Sequence, residues 1–475
     1  MANWPWREFV RPTIIFFSGL LILAVMRFPA INASLIGQPD REMIETAFKL
    51  RADIPRAKAD PVLLIDIDDK SMLRPARGKG FPGPPEASAP RNLIANALAY
   101  ILRAPGVFGP TAVMLDVDIA NNTDDPASVK GLRGVLKTWA KAAGAPVLII
   151  SREAFSSNAL GLPGKVWTLP SSPYDDIVES SNGKIVWGDT RVLSDRFGMV
   201  REFKPVECVN TRAGVRPLFA SPLLAYQAAV QGQIPVNAPI RAALGERCAH
   251  GVESADDALR SGELINYQLS LNPNEERPSW GDQPAGWRGY RTCGHFGGAP
   301  VVQTLSAATF ASVGPDADTG ILCRRLVVIG GTNIIAQDFR YTPVYQMAGA
   351  MILTNVARGL ELSNGGLKRV PLVLQILIIL LASIGIWLGF RGAHAVREHY
   401  RRLREHHRQR HWLVRLRILP LNPIILHWVF AIAAHATGVA LLMWALDRGY
   451  WGYLSAPAFA AAGAGAIQEV MDDEV

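Results

Sequence analysis

Two stretches decide the fold: Pro61-Val-Leu-Leu-Ile-Asp-Ile-Asp68 and Thr111-Ala-Val-Met-Leu-Asp-Val-Asp118. Each is a short apolar run ending in acidic residues. Runs of this length, bounded by Pro or Gly, read as strands buried on both faces. Between them, Asn92 to Leu102 sets Leu93, Ile94, Ala97, Leu98 and Ile101 at helical spacing. Val129–Ala143 reads as a second helix and Pro146–Ile150 as a third strand. Strand and helix alternate, which predicts a mostly parallel sheet with helices on its faces. Further strands are predicted at Gly183–Trp187, Met199–Lys204, Leu264–Tyr267 and Arg325–Gly330. Gly78–Pro90 and Asn272–Gly298 read as loops.

Outward from this α/β body the chain turns apolar. Hydrophobic residues make up 49% and charged residues 19% of the 475. Val370–Phe390 carries no charge and is bracketed by Lys368, Arg369 and Arg391. At 1.5 Å per residue it crosses a hydrocarbon core of about 30 Å. Pro423–Leu446 and Tyr450–Ile467 are further candidate spans. So is Thr13–Met26, extended through Phe28–Ile31 if Arg27 snorkels. Ile31, two before Ala33, argues against signal-peptide cleavage there and for an uncleaved anchor.

The net charge of +8 could suggest nucleic acid, but its placement gives a plainer reason. Arg391, Arg397, Arg401, Arg402, Arg404, Arg408, Arg410, Arg415 and Arg417 face only Glu398 and Glu405 in one short segment. A loop this basic stays in the cytoplasm. The expected protein is a multi-pass one of the bacterial inner membrane, its large domain periplasmic and both termini cytoplasmic. The expected fold is an α/β outer domain plus an α-helical membrane region of about four transmembrane helices. The divisions are 1–34 with the first span, 35–368 as the outer domain, and 369–391 as the second span. Residues 392–418 form the basic loop, 419–467 the third and fourth spans, and 468–475 an acidic tail. The basic loop reads either as an amphipathic helix on membrane lipid or as a charged linker. Ala434 and Gly438, or Ala461 and Gly465, allow close helix packing within the chain or in a homo-oligomer.

Acidic residues cluster at the predicted strand ends. Asp66 and Asp68 share one face of a strand, as do Asp116 and Asp118. In an open parallel sheet, ligands bind outside the carboxyl ends of the strands. If a metal is held, Asp66, Asp68, Asp116 and Asp118 would hold it, giving a metal-dependent hydrolase. The plainer expectation is that these aspartates cap helices and loop amides, with Asp66 pairing an arginine such as Arg91. The candidate ligand-binding residues are Asp68, Asp69, Arg91, Asp118, Thr332 and Asn333. No cofactor is expected: Gly330-Gly331 stands in no complete phosphate-loop pattern, and no catalytic constellation emerges. Cys208, Cys248, Cys293 and Cys323 all fall in the outer domain and are disulfide candidates. Their pairing is open, with Cys248–Cys293 the first expectation.

The order of short motifs resembles the CHASE type 2 domain, a sensory extracellular domain associated with cyclases and histidine kinases. The resemblance starts at the Ile44–Arg51 helix and Val62-Leu-Leu-Ile-Asp-Ile-Asp-Asp-Lys-Ser71. It continues through Pro90-Arg91, Leu115-Asp-Val-Asp118, Asp195-Arg-Phe-Gly-Met-Val-Arg201 and Leu264-Ile-Asn-Tyr267. Pro300–Ala311 resembles the helix before the last strand. Leu326-Val-Val-Ile-Gly-Gly-Thr332 resembles that strand, and Tyr341-Thr-Pro343 to Asn355 the family's ending. The resemblance implies a sensory α/β domain over about residues 40–362. Family members usually continue into an output enzyme, whereas this sequence runs only to Val475. The expected function is therefore a non-enzymatic inner-membrane sensor or accessory subunit. It would bind an extracytoplasmic ligand and couple to another membrane or cytoplasmic protein. The alternative is a structural docking component of an envelope assembly.

Overall fold

The computed structural model describes residues 44–50, 62–68, 91–103, 109–120, 126–156, 167–194, 198–211, 214–231, 263–265, 302–312, 326–332, 339–363 and 367–377. It also describes 442–446, 450–451 and single positions that include Ser71, Cys248, Tyr267 and Leu322. The chain divides into two units, Ala52–Leu367 and a unit made of Met1–Arg51 with Lys368–Val475.

The first unit is built on a six-stranded sheet. Its strands are β1 (Val62–Asp66), β2 (Ala112–Asp116), β3 (Val147–Ser151), β6 (Ile185–Gly188), β12 (Val302–Ser306) and β13 (Leu326–Gly330). They lie in the order β12-β1-β13-β2-β3-β6, and every pairing is parallel. Every residue of β1 and β3 is buried, as continuous apolar runs require when helices cover both faces. On one face, Leu63, Ile65, Val113, Leu115, Leu148, Ile150, Val327 and Ile329 form a core with α1 (Arg91–Ile101), α2 (Pro126–Lys141), α3 (Asp175–Ser180) and α5 (Ala307–Ser312). Helix α1 presents Ile94, Ala97, Leu98 and Ile101 to it, and α2 presents Leu132, Leu136 and Trp139. Burial of each such Leu or Ile contributes about 1.5–3 kcal/mol. Trp139 keeps its polar edge satisfied by donating to the Pro146 carbonyl at 2.8 Å. On the opposite face lie α4 (Ser221–Gln231), against β2, β3 and β6, and α6 (Gly349–Leu362), against β13 and α4.

Glycine permits two close approaches there. A Cβ on Gly330 would sit 2.5 Å from the Ala350 Cβ and 3.2 Å from the Asp116 Cβ. One on Gly188 would sit 2.4 Å from the Ser221 hydroxyl. Both helices therefore press directly onto the backbone at the carboxyl ends of the strands.

Shorter sheets decorate this frame. Strands β4 (Phe155–Ser156), β5 (Trp167–Thr168), β9 (Val206–Thr211) and β10 (Gly214–Phe219) run in the order β10-β9-β5-β4. Strands β7 (Val192–Ser194), β8 (Val200–Phe203) and β11 (Glu263–Leu264) form a third sheet, and β14 (Phe339–Thr342) pairs antiparallel with β15 (Tyr345–Ala348). Tyr267 is buried and donates to the Val200 carbonyl at 3.0 Å. Burial pushes its hydroxyl far above the ordinary tyrosine range.

Two expectations change. Residues 302–306, read as part of a helix, form the edge strand β12, and α5 begins only at Ala307. The reason is the register: Val302 to Ser306 pairs residue for residue with β1, using the edge that β13 leaves open. The disulfide joins Cys208 to Cys248, not Cys248 to Cys293. Strand β9 brings Cys208 to a Cα–Cα distance of 5.6 Å from Cys248, within bonding range, and the pair is buried. Cys293 and Cys323 lie outside the described residues.

In the second unit, residues 44–50 are helical and bury Ile44, Ala47 and Phe48. Strand β16 (Lys368–Arg369) pairs in parallel with β17 (Tyr450–Trp451). Val370 is buried, whereas Val373, Leu377, Leu380 and Ile384 are exposed. Among the described residues, no helix is long and apolar enough to cross a membrane. The four apolar stretches are described only at scattered positions; the basic segment apart from Arg402, and the tail 468–475, lie outside the described residues.

Candidate functional site

The carboxyl edge of the parallel sheet gathers polar side chains because strands there release the chain into loops. The register aligns Ser306, Asp66, Gly330 and Asp116 in one row, and Ser151 opposes Gly188 further along. Asp66 is buried and uses both carboxylate oxygens on Thr332, accepting from its backbone N–H at 2.9 Å and its hydroxyl at 2.6 Å. It thereby clamps the turn after β13 to the end of β1. Asp68 accepts from the Ser71 N–H at 2.9 Å and hydroxyl at 2.6 Å. The Ser71 hydroxyl in turn accepts from the Ala308 N–H at 3.1 Å, tying this turn to the start of α5. Asp118 is exposed and accepts from the Ala120 N–H at 2.9 Å. Arg91, the first residue of α1, is buried and donates to the Ile119 carbonyl at 3.0 Å.

Asp66, Asp68 and Asp118 thus act as caps of different turns, the plainer of the two roles expected for strand-end aspartates. Asp116 is half-buried at the end of β2. Among the described residues, no group of three or more His, Cys, Asp or Glu side chains is arranged to hold a metal ion. Asp66, Asp68 and Asp118, three of the four aspartates named as metal candidates, serve separate neighbours among the described residues. Asp69 and Asn333 lie outside the described residues. Of the ligand-binding candidates, the edge holds Asp68, Arg91, Asp118 and Thr332.

A second group of charges flanks β3 and β6 and was not anticipated. Arg152 is buried; it stacks 4.6 Å from the Trp187 ring, pairs with Asp175 at 2.6 Å and donates to the Pro170 carbonyl. Arg191 lies 4.0 Å over the Trp167 ring and holds buried Asp189 with its Nε and Nη2 at 2.8–3.0 Å. Glu207 completes a chain of charges, 3.6 Å from Arg191 and 2.5 Å from Lys204. Each guanidinium thus stacks on an indole while its N–H groups donate to a carboxylate, a combination that suits Arg and not Lys. Glu153, next to Arg152 in the chain, is exposed. Burial first, then the neighbouring Asp118, raises its pKa, against the pull of Arg191 and Arg340. Tyr341, on the β14–β15 hairpin beside Arg340, is 64% exposed.

The signal for this second group was present in the sequence. Arg152 and Glu153 follow β3 directly, and Asp189 follows β6, by the same rule that picks out Asp66 and Asp116. The partners were not readable, because Asp175, Glu207 and Trp167 arrive from elements far along the chain. A CHASE2 domain model matches residues 18–389. No curated protein and no solved structure matches the chain significantly. The matched span contains the whole parallel sheet and the capped turns at its carboxyl edge, so the chain belongs to the CHASE2 domain family, a family of sensory extracellular domains.

Proposed function

We propose that the chain is a non-enzymatic membrane sensor or accessory subunit of the bacterial inner membrane. Its CHASE2 domain, about residues 35–368, lies on the periplasmic side and binds a ligand or partner at the carboxyl edge of the parallel sheet. The apolar stretches on either side anchor it, and the arginine-rich segment 391–418 stays in the cytoplasm. A separate membrane or cytoplasmic protein receives the signal.

The observation that carries this reading is the family match across most of the chain. Two further features support it. The domain contains a buried disulfide, which suits an oxidising compartment. Its strand-end carboxylates Asp66, Asp68 and Asp118 hold together the turns at the edge where a ligand would bind. The test is accessibility in intact spheroplasts. A membrane-impermeant thiol reagent should label a cysteine placed at exposed Tyr341 and spare one placed at Arg402. The opposite pattern would overturn the placement. Affinity purification of the detergent-solubilised chain, followed by mass spectrometry, should then yield a specific partner; recovery of the chain alone would count against coupling.

A further inference from the structure

We propose that the pairing of β16 with β17 is a strap at the periplasmic face of the membrane, joining the starts of the second and fourth apolar stretches so that a shift of α6 reaches both together. The inference rests on the membrane reading above. It adds a direction of travel for two stretches and a route out of the ligand edge.

Strand β16 stands directly before the apolar stretch 370–390, and β17 opens the stretch 450–467. The two pair in parallel, Lys368 opposite Tyr450 and Arg369 opposite Trp451. Parallel strands run the same way, so both stretches leave the strap in one direction and enter the membrane from one face. The chain between Arg369 and Tyr450 must then cross an even number of times, which the stretches 370–390 and 423–446 supply. The arginine-rich segment between those crossings falls on the opposite face by strand direction, without appeal to its charge. Two paired residues are a weak fastening in water. Beside hydrocarbon an unmade backbone hydrogen bond is far costlier, which favours the pairing.

The chain from the carboxyl edge of the sheet to the strap has little slack. Helix α6 starts against that edge, where a Cβ on Gly330 would meet the Ala350 Cβ at 2.5 Å, and it is buried from Ala350 to Leu360. Its far end is closed. The Ser363 N–H donates to the Gly359 carbonyl at 3.0 Å, and the Gly365 N–H to the Leu360 carbonyl at 2.8 Å. Gly365 takes a φ of 104°, open to glycine at no steric cost. Gly366 and Leu367 alone separate this cap from β16, a step of at most about 11 Å. Beyond β16, buried Val370 leads to Pro371, whose carbonyl accepts from the Gln375 N–H at 3.0 Å and begins the next helical turn. The buried Gln375 side chain folds back, its Nε2 donating to the Val370 carbonyl at 2.9 Å. Helix shifts of about 1–2 Å are an ordinary switching movement. A shift of α6 therefore pulls on β16, and β17 shares the displacement.

The test uses the full chain in spheroplasts, carrying Lys368→Cys together with Tyr450→Cys. Paired strands lie about 4.8 Å apart, inside the Cα range of a disulfide. Mild oxidant should join the two cysteines, read by mass spectrometry of unreduced peptides so that the native cysteines do not confuse the result. In the single variants, a membrane-impermeant thiol reagent should reach both positions from outside. Gly330→Ala, which presses on the start of α6, should change the rate of joining about fivefold, and adding Ala350→Gly should restore it. Gly134→Ala should leave the rate unchanged. If Gly330→Ala does not fold, Ala350→Gly alone, which loosens the same contact, decides. Failure of the two cysteines to join, or labelling from opposite faces, would overturn the strap. A rate indifferent to both Gly330→Ala and Ala350→Gly would overturn the transmission, and with it the proposal. Outside labelling of Tyr341→Cys with no joining would remove the strap alone. Joining with both positions reached only from inside would keep the strap and overturn the periplasmic placement.

Discussion

Replacing Gly330 with Ala tests how the carboxyl edge is assembled. Gly330 ends β13, and its α-carbon faces α6 at the point where Asp116 ends the neighbouring strand. The added methyl would lie 2.5 Å from the Ala350 Cβ and 3.2 Å from the Asp116 Cβ. Carbon atoms pack best at about 3.5–4.0 Å, so strand and helix must separate by about an ångström. Ala350 cannot swing aside, because its Cβ is fixed to the helix backbone. Overpacking of this kind costs about 1–3 kcal/mol. Gly330 is not among the glycines with positive φ, so Ala also gains about 0.4–1 kcal/mol from a stiffer unfolded chain. The net loss is about 1–2 kcal/mol, or roughly 2–8 °C in Tm for a domain of this size. Thermal unfolding of the full chain in detergent measures it. Ala350→Gly removes the colliding methyl, so the double variant should recover most of the loss relative to Ala350→Gly alone, with a coupling of about 1 kcal/mol or more. Gly134→Ala, in an exposed turn of α2 with nothing within 4 Å of the added methyl, should instead stabilise by about 0.5–1 kcal/mol. The reasoning fails if Gly330→Ala is as stable as the wild type, or if Ala350→Gly brings no rescue.

Three further outcomes are expected. Asp66→Ala removes the acceptor for both the N–H and the hydroxyl of Thr332, and should cost about 2–4 kcal/mol by denaturant unfolding; Thr332→Val, which spares the N–H bond, should cost less. Reducing Cys208–Cys248, which closes a loop at a sequence separation of 40, should cost about 2–4 kcal/mol, read as a lower denaturant midpoint with reductant present; equal midpoints would contradict it. Glu153 has a folded pKa raised by burial and by Asp118, so its ionised form opposes folding above that pKa and the penalty fades as pH falls through it. Glu153→Gln should therefore stabilise slightly at pH 8, by less than about 1 kcal/mol for so exposed a group, and bring no advantage at pH 3; a loss of stability at pH 8 would refute the assignment.

The strands that build the sheet were legible where they are continuously apolar. Val62–Asp66, Ala112–Asp116, Val147–Ser151 and Leu326–Gly330 all fall within or beside the predicted runs. The helical spacing of Leu93, Ile94, Ala97, Leu98 and Ile101 placed α1 correctly. Strand β12 was missed because Val-Gln-Thr-Leu-Ser has neither a clear period nor an apolar run, and only pairing with β1 makes it a strand. Helix α6 escaped notice for a different reason: its residues from Ala350 to Leu360 are all buried, including Thr354, Asn355 and Arg358, so no polar face marks its period. At the edge, the capping aspartates could be read from their place after apolar runs. The Arg152 and Arg191 stacks could not, since each joins residues from three separate elements.

The position of β13 in the sheet bears on how the domain is made. The clamp between Asp66 and Thr332 spans 266 residues of chain, and β13 must slot between β1 and β2, both synthesised long before it. Until residue 330 emerges, those two strands present open facing borders with no partner. Assembly from such distant pairings is slow, and unpaired borders invite association with other chains. The nascent domain should therefore depend on a holding chaperone until its last parallel strand arrives.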